Sequence, residues 1–208
     1  MNDFRHLLAS LSEFEQQVGQ NPLTLGDALN RLHGAAYPLI SLLLVIPLFQ
    51  PFPLGPMTVV VGLTFTYLGW QLWQGRTSPV LPRTVLDISF SRSSWKKISR
   101  GCWKVADFCH TFTKPRLHGL VKSRQGQRIG GMILMVAGML MAIPFGILPF
   151  NNVLPGLAIL FYCLADIEGD GLMTLIAFGW ILVTALYFVA FFIALYFLGT
   201  EVLEHLKI

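Results

Sequence analysis

Polar side chains are scarce in the apolar parts of this chain, so the few that occur there are the first candidates for chemistry. Gln50 lies between Pro47 and Pro51, and Asn151 and Asn152 lie between Pro144 and Pro155. A proline has no N–H and clashes with the preceding turn, so each of these places interrupts a helix and leaves backbone groups to be satisfied by something else. A carboxamide there either caps a short helical arm or hydrogen-bonds a substrate. An acidic cluster, Asp166-Ile-Glu168-Gly-Asp170-Gly171, opens like an EF-hand loop, but its twelfth position is Ala177 and its intervening residues are apolar, which argues against calcium. The cluster either pairs with Arg76, Arg83 or Arg128 or forms a vestibule that attracts cations. Arg31 and Arg128 stand at the starts of two apolar stretches. The candidate substrate-binding set is therefore Gln50, Asn151, Asn152, Asp166, Glu168, Asp170, Arg31 and Arg128.

No catalytic set emerges. Cys102, Cys109 and Cys163 include no C-x-x-C pair, and His6, His33, His110, His118 and His205 are scattered without ligand spacing, so no metal site or disulfide framework is indicated. His110 adjoins Cys109, but no Asp or Asn is placed to complete a nucleophile and base. No phosphate-binding glycine loop, dinucleotide motif or H-E-x-x-H occurs, and no cofactor is expected. An enzyme is the least supported class.

The elements that must position these residues are set by composition. Hydrophobic residues make up 54% of the 208 and charged residues 12%, against about 45–50% and about 25% in soluble domains. Residues 32–75, 129–165 and 171–200 contain no Asp, Glu, Lys or Arg, and together they exceed half the chain. No soluble core of this size could hide them, so a water-soluble enzyme is excluded and an all-α integral membrane protein is expected. Twelve of the 15 Lys and Arg fall between Arg76 and Arg128, opposed by Asp87 and Asp107. Such a loop is held in the cytoplasm and attracted to anionic lipid headgroups, which accounts for the charge without a nucleic-acid partner.

Five segments follow. Residues 1–34 carry Phe4, Leu7, Leu8, Leu11, Phe14 and Val18 at helical spacing and no cleavable signal, so an amphipathic N-terminal region on the cytoplasmic side is expected. Residues 35–75 form a first hairpin, with one arm of about 12–15 residues before Pro47 and a second over Met57–Trp73. Residues 76–128 form the basic interfacial loop, where Trp95, Ile98, Cys102, Val105, Cys109 and Phe112 mark an amphipathic helix that is either a docking surface or a topological anchor. Residues 129–170 form a second hairpin, with arms Ile129–Met141 and Leu157–Ala165, and residues 171–199 hold a final transmembrane helix.

The two proline-broken hairpins read as an internal repeat. An offset of 97 aligns Arg31 with Arg128, Gly34 with Gly131 and Pro47 with Pro144, and an offset of 94 aligns Gly62 with Gly156 and Gly75 with Gly169. Each hairpin returns to the cytoplasm, so the last helix carries the C-terminus outward. Gly131, Gly138 and Ala142 share one helix face, suited to packing within the chain or to a homodimer.

Several motifs in order carry a resemblance. Thr24-Leu25-Gly26-Asp27, Ile46-Pro47, Gly75-Arg76 with Pro79-x-Leu81-Pro82, Arg116-Leu117, Asn152-x-Leu154-Pro155 with Ala158-Ile159-Leu160, and Glu168-x-Asp170-Gly171 resemble the ExoD family. The resemblance covers roughly residues 10–200. It implies a bacterial inner-membrane protein linked to exopolysaccharide synthesis, and supplies no reaction. Two readings stand. One is a small transporter or permease for a polar or charged solute, with its site at the broken hairpins. The other is a non-transporting accessory protein of a polysaccharide-synthesis complex.

Overall fold

The computed structural model describes residues 23–24, 36–49, 56–81, 89–90, 119–143, 148 and 150–205. The N-terminal amphipathic segment, Arg31, Gln50 and the amphipathic stretch with Cys102 and Cys109 lie outside them. The described chain is helical apart from one antiparallel pairing of two-residue strands, β1 (Leu23–Thr24) with β2 (Ser89–Phe90). Helix α1 (Ala36–Val45) tightens into a 3-10 turn over Ile46–Phe49; α2 spans Pro56–Trp73 and α3 Gly119–Lys122. Then come α4 (Arg124–Ala142), α5 (Val153–Glu168) and α6 (Gly171–His205).

The local sequence explains the ends of these helices. Pro56 opens α2, where a missing N–H costs nothing. Ser123 caps α4: its Oγ accepts the Gly126 N–H at 3.0 Å. Gly75 and Gly169 take left-handed φ values of 82° and 69°. At both, the next residue's N–H reaches back five positions, Arg76 to the Gln71 carbonyl and Asp170 to the Ala165 carbonyl, each at 3.1 Å. These are the two glycines that the offset of 94 aligned. Asp170 then caps α6 as its Oδ1 accepts the Leu172 N–H at 2.9 Å.

The second hairpin differs from expectation in length. Its first arm starts at Arg124 rather than Ile129, and its second at Val153 rather than Leu157. Pro155 does not break α5 because it sits in the first turn, where no intrahelical N–H bond is lost. Arg124 and Arg128, assigned to the basic loop by charge, are the solvent-facing side of α4's first turns.

The arms of the two hairpins are exchanged in packing. α2 lies mainly along α4 and α1 along α5, while α6 packs on α5. The α2–α4 contact depends on four glycines in antiparallel register. A Cβ on Gly69 would stand 2.5 Å from the Gly131 carbonyl oxygen, and one on Gly62 would stand 2.7 Å from that of Gly138. Backbone touches backbone there, with dispersion and weak C–H···O contacts in place of side-chain interdigitation. The small-residue face of α4 is thus occupied within the chain. Leu42, Val45, Phe65, Leu68, Leu134, Met141 and Ile159 fill the interior.

Among the described residues, one helix is long and apolar enough to cross a membrane. It runs over Gly171–Phe197, and only 17% of its most apolar window is buried, unlike a core helix of a soluble protein. At about 1.5 Å per residue it reaches about 40 Å, enough for a hydrocarbon layer of about 30 Å with tilt.

Candidate functional site

Six helices meet around a group of polar side chains at one end of the bundle. Tyr37 comes from the start of α1, and Leu72 and Arg76 from the end of α2 and the turn after it. Val121 of α3 and the first turns of α4 (Gly126, Gln127, Gly130) close one side, and Tyr162 and Asp166 of α5 with Thr174 of α6 close the other. They enclose a cleft of about 80 Å³. That volume admits a few waters or a small polar group, far below the roughly 300 Å³ at which pockets for drug-sized ligands begin.

Local structure fixes each wall. Gln71, 1% exposed, clamps the chain beyond α2: its Nε2 donates to the Val80 carbonyl at 3.0 Å and its Oε1 accepts the Val80 N–H at 2.6 Å. This holds Pro79-Val80-Leu81 against the bundle and seats Leu81, which is buried. Gly130 leaves room for Tyr162, whose ring a Cβ there would strike. Lys122 ties α3 to α5, its Nζ donating to the Asp166 carbonyl at 2.7 Å and lying 3.8 Å from the Asp166 Oδ1.

The electrostatics are mixed. Burial at the end of α5 raises the Asp166 carboxyl above the usual carboxylate range, and the Lys122 ammonium draws it back. Tyr37 is 3% exposed, and its hydroxyl has no hydrogen-bond partner among the described residues. Such an orphan is uncommon in a folded interior. Arg76 and Gln127 are exposed at the mouth. Among the described residues no group of three His, Cys, Asp or Glu could hold a metal ion.

The residues singled out from sequence do not converge. Asp166 lines the cleft, and among the described residues its ion-pair partner is Lys122 rather than Arg76 or Arg128, while Arg83 lies outside them. Asp170, 1% exposed, is a helix cap, and Glu168 ends α5 half-buried outside the cleft lining. Arg128 is exposed on α4 and does not line it. Asn151 and Asn152 are buried at the opposite end of α5, about 21 Å from Asp166 at about 1.5 Å per residue. Arg31 and Gln50 fall outside the described residues. Tyr37, Gln127, Tyr162 and Thr174 carried no sequence signal as a set, because they are tyrosine, amide and hydroxyl side chains on separate helices. Gly75-Arg76 stood out in the sequence as a family motif, not as a wall.

The sequence profile described as "Exopolysaccharide synthesis, ExoD" matches residues 7–190. The chain belongs to the ExoD family. Among curated proteins, Protein ExoD of Rhizobium meliloti (strain 1021) is 26% identical over 184 residues, covering 88% of this chain and 76% of that protein. No solved structure matches. The ExoD match takes in both hairpins and the cleft and ends inside α6. Motifs that carried the ExoD resemblance fall on structural joints: Gly75-Arg76 on the end of α2, Pro79-x-Leu81 on the Gln71 clamp, and Glu168-x-Asp170-Gly171 on the α5–α6 turn.

Proposed function

We propose that this ExoD-family chain is a multi-pass protein of the bacterial inner membrane that serves exopolysaccharide synthesis as a non-transporting accessory, binding a small polar group at the charged end of its bundle. The link to exopolysaccharide rests on the family and on the name of the Rhizobium meliloti relative. Support for several membrane arms comes from outward faces beyond α6. α2 exposes Met57, Val60, Leu63, Tyr67 and Trp70 at steps of three and four, and α4 exposes Met132, Val136 and Met139. In water such faces would invite aggregation, whereas acyl chains match them. With 18 and 19 residues, α2 and α4 are each about 27–28 Å long, close to the hydrocarbon thickness of about 30 Å. The basic segment holds the cleft end in the cytoplasm, and α6 carries the C-terminus outward.

One observation carries the accessory reading over the permease. Between Asn151–Asn152 and the cleft, Leu42, Phe65, Leu68, Leu134, Met141 and Ile159 are each at most 1% exposed. A solute crossing from one polar end to the other would have to displace this packed layer of side chains. The permease reading has its own support at the break, where the buried Asn152 Oδ1 has no partner among the described residues and Phe150 holds a left-handed φ of 61°.

Two measurements separate the readings. Proteoliposomes containing the purified chain are assayed for uptake of inorganic phosphate, sugar phosphates and protons, and a deletion strain carrying wild-type or variant chains is assayed for exopolysaccharide. The accessory reading expects restored polymer and no flux above empty liposomes. Flux that falls on Asn152→Ala, with folded protein retained, would replace it with the permease.

A further inference from the structure

We propose that the cleft binds the phosphate of a membrane-lipid headgroup, with Arg76 as its cationic partner and the Tyr37 hydroxyl as a second donor. The inference rests on the membrane reading above and names the ligand class of that same site. Lys122 and Asp166 oppose each other's charge at 3.8 Å, and no carboxylate among the described residues pairs with Arg76. The cleft therefore carries an excess positive charge at its mouth, where an anion can reach it. A guanidinium matches a phosphate through parallel N–H donors. The N-terminal end of α4 adds a positive dipole from the side. Ser123 already takes up the Gly126 and Gln127 amides, through its Oγ and its carbonyl, so α4 contributes field rather than free N–H groups.

The floor supplies an independent pointer. Tyr37 lines the cleft, is only 3% exposed, and keeps a hydroxyl without a partner among the described residues. A phosphate oxygen seated under Arg76 would accept that O–H. Position in the membrane supplies another. Trp70 and Trp73 stack with ring centroids 5.7 Å apart on the last turn of α2 and are 48% and 43% exposed. Exposed indoles gather at the level of lipid headgroups. Arg76 follows within one turn of Trp73, so the mouth opens at headgroup depth, with the apolar faces of α2 and α4 below it for acyl chains. The cleft volume of about 80 Å³ suits a phosphate group with water, while the rest of the headgroup stays outside.

The test uses the full-length chain in detergent, read by native mass spectrometry with three probes: phosphatidylglycerol, diacylglycerol (the same tails without phosphate) and inorganic phosphate. Phosphatidylglycerol is expected to be retained at least tenfold better than diacylglycerol. Arg76→Gln should remove that preference, Arg76→Lys should keep part of it, and Tyr37→Phe should weaken retention several-fold at an unchanged melting temperature. Equal retention of both lipids, or a preference that survives Arg76→Gln, would overturn the proposal. Arg76-dependent binding of inorganic phosphate without lipid retention would overturn the lipid source and leave a soluble phosphate compound as the ligand. Polymer yield separates this inference from the functional reading. Lost lipid retention with wild-type yield in Arg76→Gln cells upholds the site and overturns its role in synthesis. Retained lipid with lost yield overturns the site.

Discussion

Glycine at position 69 is required by its surroundings, not by its own backbone. The 2.5 Å separation between an added Cβ and the Gly131 carbonyl oxygen can be relieved only by moving α2 away from α4. Gly69→Ala should therefore cost about 1–3 kcal/mol by overpacking. Gly179, which has nothing within 4 Å of its added Cβ, provides the control; replacing it with alanine should be neutral or stabilise by up to about 1 kcal/mol through helix propensity. Melting of the two variants in the same detergent checks the pair, and equal shifts would refute the close contact. Asp166 gives a prediction with a sign. Its folded-state pKa lies above its unfolded value, so the folded chain binds the extra proton and loses stability as pH rises through that window. Lys122→Met should widen the window by removing the lowering charge, and the double variant Lys122→Met/Asp166→Asn should abolish it. Melting temperature across acidic to neutral pH reads both.

At the level of elements, capping governs where helices begin and end. Asp170→Ala removes the acceptor for the Leu172 N–H and should destabilise by about 1 kcal/mol, with faster amide exchange confined to the first turn of α6. Substituting Asp170→Asn should preserve most of the protection; if the alanine variant exchanges like wild type, the cap contributes nothing. The elements also show what was legible. Proline spacing anticipated the end of α1 before Pro47, and α2 was expected over Met57–Trp73 and observed over Pro56–Trp73. The same cue misplaced the start of α5, because a proline breaks a helix interior but fits a first turn, and composition alone does not tell Pro155 from Pro144. Charge likewise hid the start of α4, whose exposed arginines looked like loop while Ser123 was capping a helix.

For the molecule as a whole, the membrane reading predicts how each face meets its solvent. Cysteines placed for Met139 and Leu186, both exposed and apolar, should resist a water-soluble maleimide, whereas one placed for Gln127 should react once the cytoplasmic side is opened. Ready labelling at Met139 in intact membranes would count against α4 as a membrane arm. Leu186→Lys, near the middle of the long apolar helix, should cost about 2.5–3.5 kcal/mol of insertion, visible as lost membrane integration in a glycosylation reporter.

The amino-acid order alone determined that this chain is helical and apolar, where its prolines interrupt it, which end bears the positive charge, and the family it belongs to. These are local properties: a proline lacks its N–H and an uncharged run stays uncharged in any fold. Tertiary structure decided which arm lies against which, since Gly62 and Gly69 acquire a role only once Gly138 and Gly131 stand opposite them. It also decided that Asn152 and Asp166 belong to opposite ends while Tyr37, Arg76 and Asp166 share a cleft. No spacing rule links residues so far apart in the chain, because their proximity is created by helix packing.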